Sequence, residues 1–368
     1  MLQMSLTEKR WFKVMIAIIL FLLIVFLLNV NNFLLIPFSV LIKTIFLPFV
    51  VAGILFYLCR PLVTFLEKRK LPKWIAILLA YVAIVLVIYG IIKLVAPAIN
   101  DQLELFIENL PAMVSTVMEW VNYVQENRNT FPSFVQDAFE TASGDFQSKI
   151  QENVGNIANG ILGVFGVIGG FINTIFALVL VPFILFYMLK DGYRFAPSVT
   201  VFFPKSRREN VLTILKDMDK TIATYIQGQM IVSLIVGILL YIGYLIIGLD
   251  YSLVLAVFGM FTNVIPFLGP YIAVIPAFLV AVFQDPIMVL YVGIIMLVAQ
   301  QIEGNIISPN IMGKTLNIHP LTIIVLILTA GNLAGLIGVI FVIPAYSIVK
   351  VIVINIVKIF QRNTSEQA

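Results

Sequence analysis

One cysteine, Cys59, and one histidine, His319, occur among 368 residues. A lone thiol closes no intrachain disulfide, and with a lone imidazole it builds no cysteine- or histidine-based metal cluster, so we expect no metal and no cofactor. Charge is scarce as well, at 11% of residues with a net charge of +4. The basic side chains collect at the ends of apolar runs and not in a polar stretch studded with aromatics, which argues against a nucleic-acid partner. There is no HExxH zinc motif, no paired nucleophile and base, and no pair of intramembrane aspartates, so a membrane enzyme such as an intramembrane protease is not expected. Gly160, Gly163, Gly166, Gly169 and Gly170 follow no strand and are not closed by a Lys and Ser or Thr, so they do not make a phosphate-binding loop.

What the chain has in excess is hydrophobic residues, 61% of the total with a mean hydropathy of +1.06. Stretches long enough to span a bilayer recur from end to end. Only helices or closed barrels satisfy their backbone polar groups in lipid, and these runs predict an all-α polytopic membrane protein of about eight transmembrane helices, some broken or re-entrant. The first partner is therefore the lipid bilayer.

The first run follows Lys9, Arg10 and Lys13 and ends near Asn29; it is too long for a signal-peptide core and is expected to be retained. A second, about 33 to 58, ends on Arg60, Lys68, Arg69, Lys70 and Lys73, which the positive-inside rule assigns to the cytoplasm along with the amino terminus. A third covers about 74 to 96. Residues 97–159 then carry nine acidic against two basic side chains, as an extracytoplasmic insertion would. Within it Leu103, Phe106, Ile107, Leu110, Met113, Val114, Val117 and Met118 recur at helical spacing, and Phe146, Ile150, Val154 and Ile157 do so again. Those faces pack on each other, on the membrane surface or on a neighbouring subunit.

A fourth run, about 160 to 189, opens on the glycines, where Gly163, Gly166 and Gly170 offer a face for close helix packing. A basic loop over 190–227 returns the chain to the cytoplasm, and Val211, Ile214, Leu215, Met218 and Ile222 predict an amphipathic helix lying along the membrane before a fifth span at about 228 to 248. The organisation expected is thus 1–96 as N-terminal membrane helices, 97–159 as the insertion, and 160–368 as a transport core.

Regularity fails twice in that core. Residues 251–283 are too many for one crossing and are cut by Asn263, Pro266, Gly269 and Pro270; residues 319–356 are interrupted at Gly331, Asn332, Gly335, Gly338 and Pro344. Both regions contain Val-Ile-Pro-Ala, at Val274 to Ala277 and Val342 to Ala345, about a dozen residues after an Asn. Paired broken segments in two halves are the best sequence pointer to a transporter's central site. Between them, after a span at about 286 to 302, lies a polar block holding Gln300, Gln301, Glu303, Asn305, Pro309, Lys314 and His319. An ionisable group at bilayer depth costs about 2.5–3.5 kcal/mol on insertion scales, so such a block lines a cavity.

The strings Pro182 to Gly192 (PFILFYMLKDG), Tyr225 to Gln229 (YIQGQ), Asn263 to Pro270 (NVIPFLGP), Gln301 to Asn305 (QIEGN) with Ser308 Pro309 and Met312 Gly313, and His319 Pro320 resemble the autoinducer-2 exporter family, also called PerM-like. The resemblance is strong over about 180 to 350 and looser before. It implies a membrane transporter with both termini cytoplasmic in a bacterial cell membrane, assembled as a homo-oligomer with pentamers expected. Substrates implied are a small polar metabolite of the autoinducer-2 type or, alternatively, a monovalent cation (sodium or lithium) exchanged for a proton; a non-transporting membrane scaffold is the further alternative.

The chemistry differs between the first two. A hydroxyl-rich, uncharged furanone calls for amides, which Asn263, Gln300, Gln301, Asn305 and Asn310 supply, each with two donors and an acceptor. An antiporter needs a carboxylate that holds either a proton or a cation, and Glu303 leads, with Lys314 placed to neutralise it. Asp250 and Asp285 read as solvated turn residues. His319 reads equally as a pH sensor or as an interfacial residue opening the last span.

Overall fold

A computed structural model describes residues 10–31, 33, 36–91, 93, 96–127, 160, 163, 175–313 and 318–365. Every regular element among them is helical: α1 Arg10–Val30, α2 Ile36–Lys68, α3 Lys73–Gly90, α4 Ala96–Glu126, α5 Ile175–Asp191, α6 Phe195–Thr200, α7 Arg208–Ile246, α8 Ser252–Thr262, α9 Leu268–Gln284, α10 Pro286–Ile302, α11 Ser308–Met312 and α12 Pro320–Ser365. Among the described residues five helical stretches, Thr44–Lys68, Lys73–Gly90, Lys205–Ile246, Pro286–Met312 and Gly338–Asn355, are long and apolar enough to cross a membrane. Large apolar side chains such as Val85, Leu86, Leu297 and Ile246 face outward along them. A water-facing surface would bury such a band; one that meets lipid exposes it. The chain is an all-α polytopic membrane protein.

Two clusters organise the helices. In the first, small residues let α2, α3 and α5 pack closely: Ala52, Cys59 and Val63 meet Ala76, Ile77 and Ala80, with Val181, Leu185 and Leu189 filling the third side. The Tyr81 hydroxyl donates to the Pro182 carbonyl and ties α3 to α5. The second and larger cluster is built by α4 and α7 to α11.

α7 departs from expectation. The amphipathic stripe at 211–222 and the span at 228–248 form one continuous helix of 39 residues. No Gly or Pro occurs between Arg208 and Gln227, so nothing breaks the turn where a surface helix would have to end. Its length, roughly 58 Å at 1.5 Å per residue, is about twice the hydrocarbon thickness, so one helix is long enough to span the core and reach past it.

α8 and α9 form a hairpin. The chain turns back from α7 through Gly248 and Tyr251, both at positive φ, and α8 returns along α7 with Met260 against Gly237 and Leu240 against Gly259. It reverses at Asn263–Phe267, and α9 climbs to its starting level, where Gln284 Nε2 donates to the Gly248 carbonyl (2.8 Å) and Gln284 Oε1 accepts from Asp250 N (3.0 Å). Both ends therefore lie at one face, and α8, at 11 residues or roughly 16 Å, cannot cross.

α12 repeats the device. Its backbone leaves helical geometry at Ala334 and Gly335, and the two arms fold together so closely that a methyl group at Gly338 would run into the Ala330 carbonyl. Ile323 and Ile327 of the first arm and Ile343 of the second bury against Tyr225 of α7, and Asn355 Nδ2 donates to Asp217 Oδ2 (3.2 Å). The second arm thus runs toward the amino-terminal end of α7. The two hairpins enter from opposite ends of that helix.

For the apolar stripe of α4 the sequence left three coverings open, and the structure supplies another: the chain's own first hairpin. Phe106, Leu110 and Met113 are buried in the larger cluster, and Phe106 meets Tyr251 edge-on with centroids 5.5 Å apart. Gln102 Oε1 accepts from Val254 N in the first turn of α8, and Asn109 Nδ2 donates to the Tyr251 hydroxyl (3.0 Å). We expect Phe106→Ala to cost about 3 kcal/mol, read as a lower unfolding midpoint of the detergent-solubilised chain, with Leu105→Ala, whose side chain is exposed, as the near-neutral comparison. The second predicted insertion helix, with Phe146, Ile150, Val154 and Ile157, lies outside the described residues.

Candidate substrate site

Three elements bring polar groups together where the first hairpin reverses. α7 presents Tyr225, Gln229 and Ser233 on one face, at i, i+4 and i+8. Gln229, 5% exposed, donates through Nε2 to the Asn263 carbonyl (2.6 Å) at the hairpin tip. Asn263, 1% exposed, donates through Nδ2 to Glu303 Oε1 (3.4 Å), and Gln300 Nε2 donates to Glu303 Oε2 (3.0 Å). One carboxylate thus holds two amides drawn from two elements, and a third amide holds the tip backbone. Gln229 lies 17 residues before the end of α7, roughly 25 Å down the helix, which puts the cluster inside the apolar band near its edge on the side of the amino-terminal half of α7.

The tip conformation has a steric origin. Phe267 adopts φ +66°, and α9 begins at Leu268 directly under the end of α8. Gly269 sits where a Cβ would stand 2.6 Å from Asn263 Cα and closer still to the Thr262 carbonyl, so only glycine fits. Pro266 occupies the turn, and Pro270 falls in the first turn of α9, where a missing N–H costs nothing.

The Glu303 backbone opens a π-helical turn, Glu303–Ile307, between α10 and α11. Such single turns interrupt α-helices mainly at functional positions. The turn divides the polar block between two faces. Gln300 and Glu303 point toward Asn263, whereas Gln301 and Asn305 are exposed and bond each other (2.8 Å). Asn310 is tied to the Ile306 carbonyl (2.7 Å) and Pro309 is exposed. His319 is exposed too, and its Nδ1 accepts from Leu321 N (3.3 Å) at the start of α12, the role of a helix cap. Asp285 likewise caps α10 by accepting from Ile287 N (2.9 Å). Lys314, Gly166 and Gly170 lie outside the described residues. Gly163 is helical and exposed, with no described atom within 4 Å of where its Cβ would stand.

Among the described residues, four buried side-chain oxygens have no hydrogen-bond partner: Asn263 Oδ1, Ser233 Oγ, Tyr225 Oη and Ser347 Oγ. Three belong to α7 or the tip that rests on it. Sequence reasoning passed over Gln229, Tyr225 and Ser233 as site residues, although a 3.6-residue period of polar groups through an apolar helix marks them.

The family model of AI-2E family transporters matches residues 9–358. The chain belongs to the AI-2E transporter family. Among relatives of this transporter, YueF of Bacillus subtilis (strain 168), a candidate transport protein by name, is 37% identical over 348 residues, 94% of this chain and 93% of that one. YrrI of the same organism, also named as a candidate transport protein, is 31% identical over 97% of this chain and 99% of its own length. A candidate permease of Escherichia coli (strain K12), PerM, is 32% identical over 178 residues, 48% of this chain and 50% of its own. In this AI-2E transporter three of the family-like strings, Tyr225 to Gln229, Asn263 to Pro270 and Gln301 to Asn305, come together at the hairpin tip. The string Pro182 to Gly192 lies apart, in the bundle of α2, α3 and α5.

Proposed function

We propose that this transporter exports a small, uncharged, hydroxyl-rich metabolite of the autoinducer-2 type, bound at the first hairpin tip by Asn263, Gln229, Gln300 and Glu303. The observation that carries the reading is the set of orphaned oxygens. Asn263 Oδ1 can only accept, and leaving a buried acceptor unmatched costs about 1–3 kcal/mol. A solute carrying several hydroxyl groups supplies the missing donors, with Ser233 one turn along α7 as a further contact. The opposed hairpins support alternating access by movement of the core against the bundle of α2, α3 and α5.

A second reading, exchange of sodium or lithium for a proton, is favoured by a different feature: Glu303 is the sole carboxylate of the cluster and sits beside unmatched oxygens, which suit a hard cation. Protein reconstituted in liposomes separates the two. Furanone uptake in the absence of a sodium or proton gradient is the result we expect. Proton movement driven by an imposed sodium gradient, abolished in Glu303→Gln, would replace the export reading with antiport.

For orientation, Arg60, Lys68 and Lys73 gather at the same end of the helices as Lys216 and Lys220 of α7. We assign that end to the cytoplasm of a bacterial cell by the positive-inside rule. Both termini then lie on that side, with a homo-oligomer as the assembly.

A further inference from the structure

At the basic end, two cavities of about 460 and 540 Å³ flank the junction between α2 and α7 and share Arg60, Thr64 and Asp219 as a common wall. The wall is held by Arg60, which donates to Asp219 Oδ2 (2.7 Å), and by the Tyr57 hydroxyl, which donates to Asp219 Oδ1 (3.2 Å). Beyond that pair the charge is unbalanced. The smaller cavity adds Lys68 and Lys220 with no further carboxylate; the larger adds Lys73 and Lys216 against Glu67. No ion pair joins Lys68 or Lys220 to a carboxylate among the described residues.

Apart from Gln227, the rest of the lining is mainly apolar. Phe56, Met188, Leu215 and Ile222 form the floor of the larger cavity, and Lys73 Nζ lies 4.5 Å from the Tyr193 ring centroid at its rim. The smaller cavity is lined by Pro61, Ala223 and Phe65, and Phe65 is more than half exposed on α2. Cations at the rim, an aromatic beside them and an apolar wall running down the helices fit one kind of ligand: an amphiphile with an anionic head.

We propose that the smaller cavity is a binding site for an anionic phospholipid, its phosphate held by Lys68, Lys220 and Arg60 and its acyl chains lying along α2 past Phe65 and Pro61. Basic pockets between transmembrane helices bind such headgroups by charge, and a cleft at the headgroup level is filled from the bilayer in preference to the aqueous phase. Nothing in this inference depends on which solute the hairpin site carries. Because the site bridges α2 and α7, an occupant would link the α2–α3–α5 bundle to the transport core.

Native mass spectrometry of the full chain, with phosphatidylglycerol, phosphatidylcholine and inorganic phosphate as separate probes, tests it. The expected result is one retained phosphatidylglycerol per protomer, no retained phosphatidylcholine, and binding about thirty-fold weaker in Lys68→Gln/Lys220→Gln. Lys68→Arg/Lys220→Arg keeps the affinity, and Lys205→Gln/Arg207→Gln, exposed at the same end but outside the cleft, stays within about twofold of wild type. The proposal is overturned if the wild type retains no phosphatidylglycerol or retains phosphatidylcholine equally. It is also overturned if inorganic phosphate displaces the lipid, or if both glutamine pairs lose affinity alike.

Discussion

Gly269→Val is expected to abolish transport and to destabilise the chain by about 3 kcal/mol or more, because the new side chain must enter space already held by backbone. A Cβ there would stand 2.6 Å from Asn263 Cα and nearer still to the Thr262 carbonyl, and neither can rotate away as a flexible side chain could. Relief requires the end of α8 to lift from the start of α9, which withdraws the Asn263 carbonyl from Gln229 and the Asn263 amide from Glu303. Gly293→Ala is the matched comparison: that glycine is helical and has nothing within 4 Å of a new Cβ, so the substitution should be neutral or stabilise by up to about 1 kcal/mol through helix propensity. Thermal unfolding in detergent together with flux in liposomes reads both. If Gly269→Val melts and transports like wild type, the close contact at the tip is not what holds Asn263 in place.

Glu303→Gln should lower flux of the transported solute at least about tenfold and lower folding stability by about 1–3 kcal/mol. The carboxylate accepts from Asn263 and from Gln300 on its two oxygens, and hydrogen bonds to a charged group are worth about 1.5–3 kcal/mol each. An amide in its place turns one of those oxygens into a donor facing another donor. Either Asn263 or Gln300 is then released, and the tip loses a fixed orientation for its unmatched oxygen. Glu303→Asp, which keeps both acceptors on a shorter stem, should retain part of the flux. Gln301→Ala, on the exposed face of the same turn, should retain nearly all of it. Equal losses in Gln301→Ala and Glu303→Gln would show that the turn, not the face toward Asn263, is what matters.

Much of this was readable in the residues. Apolar runs of spanning length gave the membrane class, and Asn263, Pro266, Gly269 and Pro270 marked the break because two prolines and a glycine in an apolar stretch are costly unless the chain turns there. Even the echoed Val-Ile-Pro-Ala has a structural counterpart: in both hairpins it lies on the second arm, with Asn263 at one tip and Asn332 just before the other. What stayed hidden was set by contacts between distant segments. Composition could not say that α4 would cover the first hairpin, since its stripe would suit any apolar surface. Nor could it divide the polar block, because which of Gln300 and Gln301 faces Asn263 depends on the π turn that follows. Tyr225, Gln229 and Ser233 were legible as a polar row on a spanning helix, but what that row faces is fixed only when the tip arrives beside it.

The unbroken length of α7 has a mechanical consequence. Asp219 is pinned to Arg60 and Tyr57 of α2, Gln229 holds the hairpin tip ten residues further on, and Ile246 ends the rod at the far face. A stiff rod pivoting at Asp219 through roughly 10° would carry Gln229 by about 2–3 Å and Ile246 by about 7 Å. The same small swing at the basic end would therefore shift the tip by less than one helical turn while sweeping the opposite mouth more widely, so that α7 acts as a lever whose fulcrum is an ion pair.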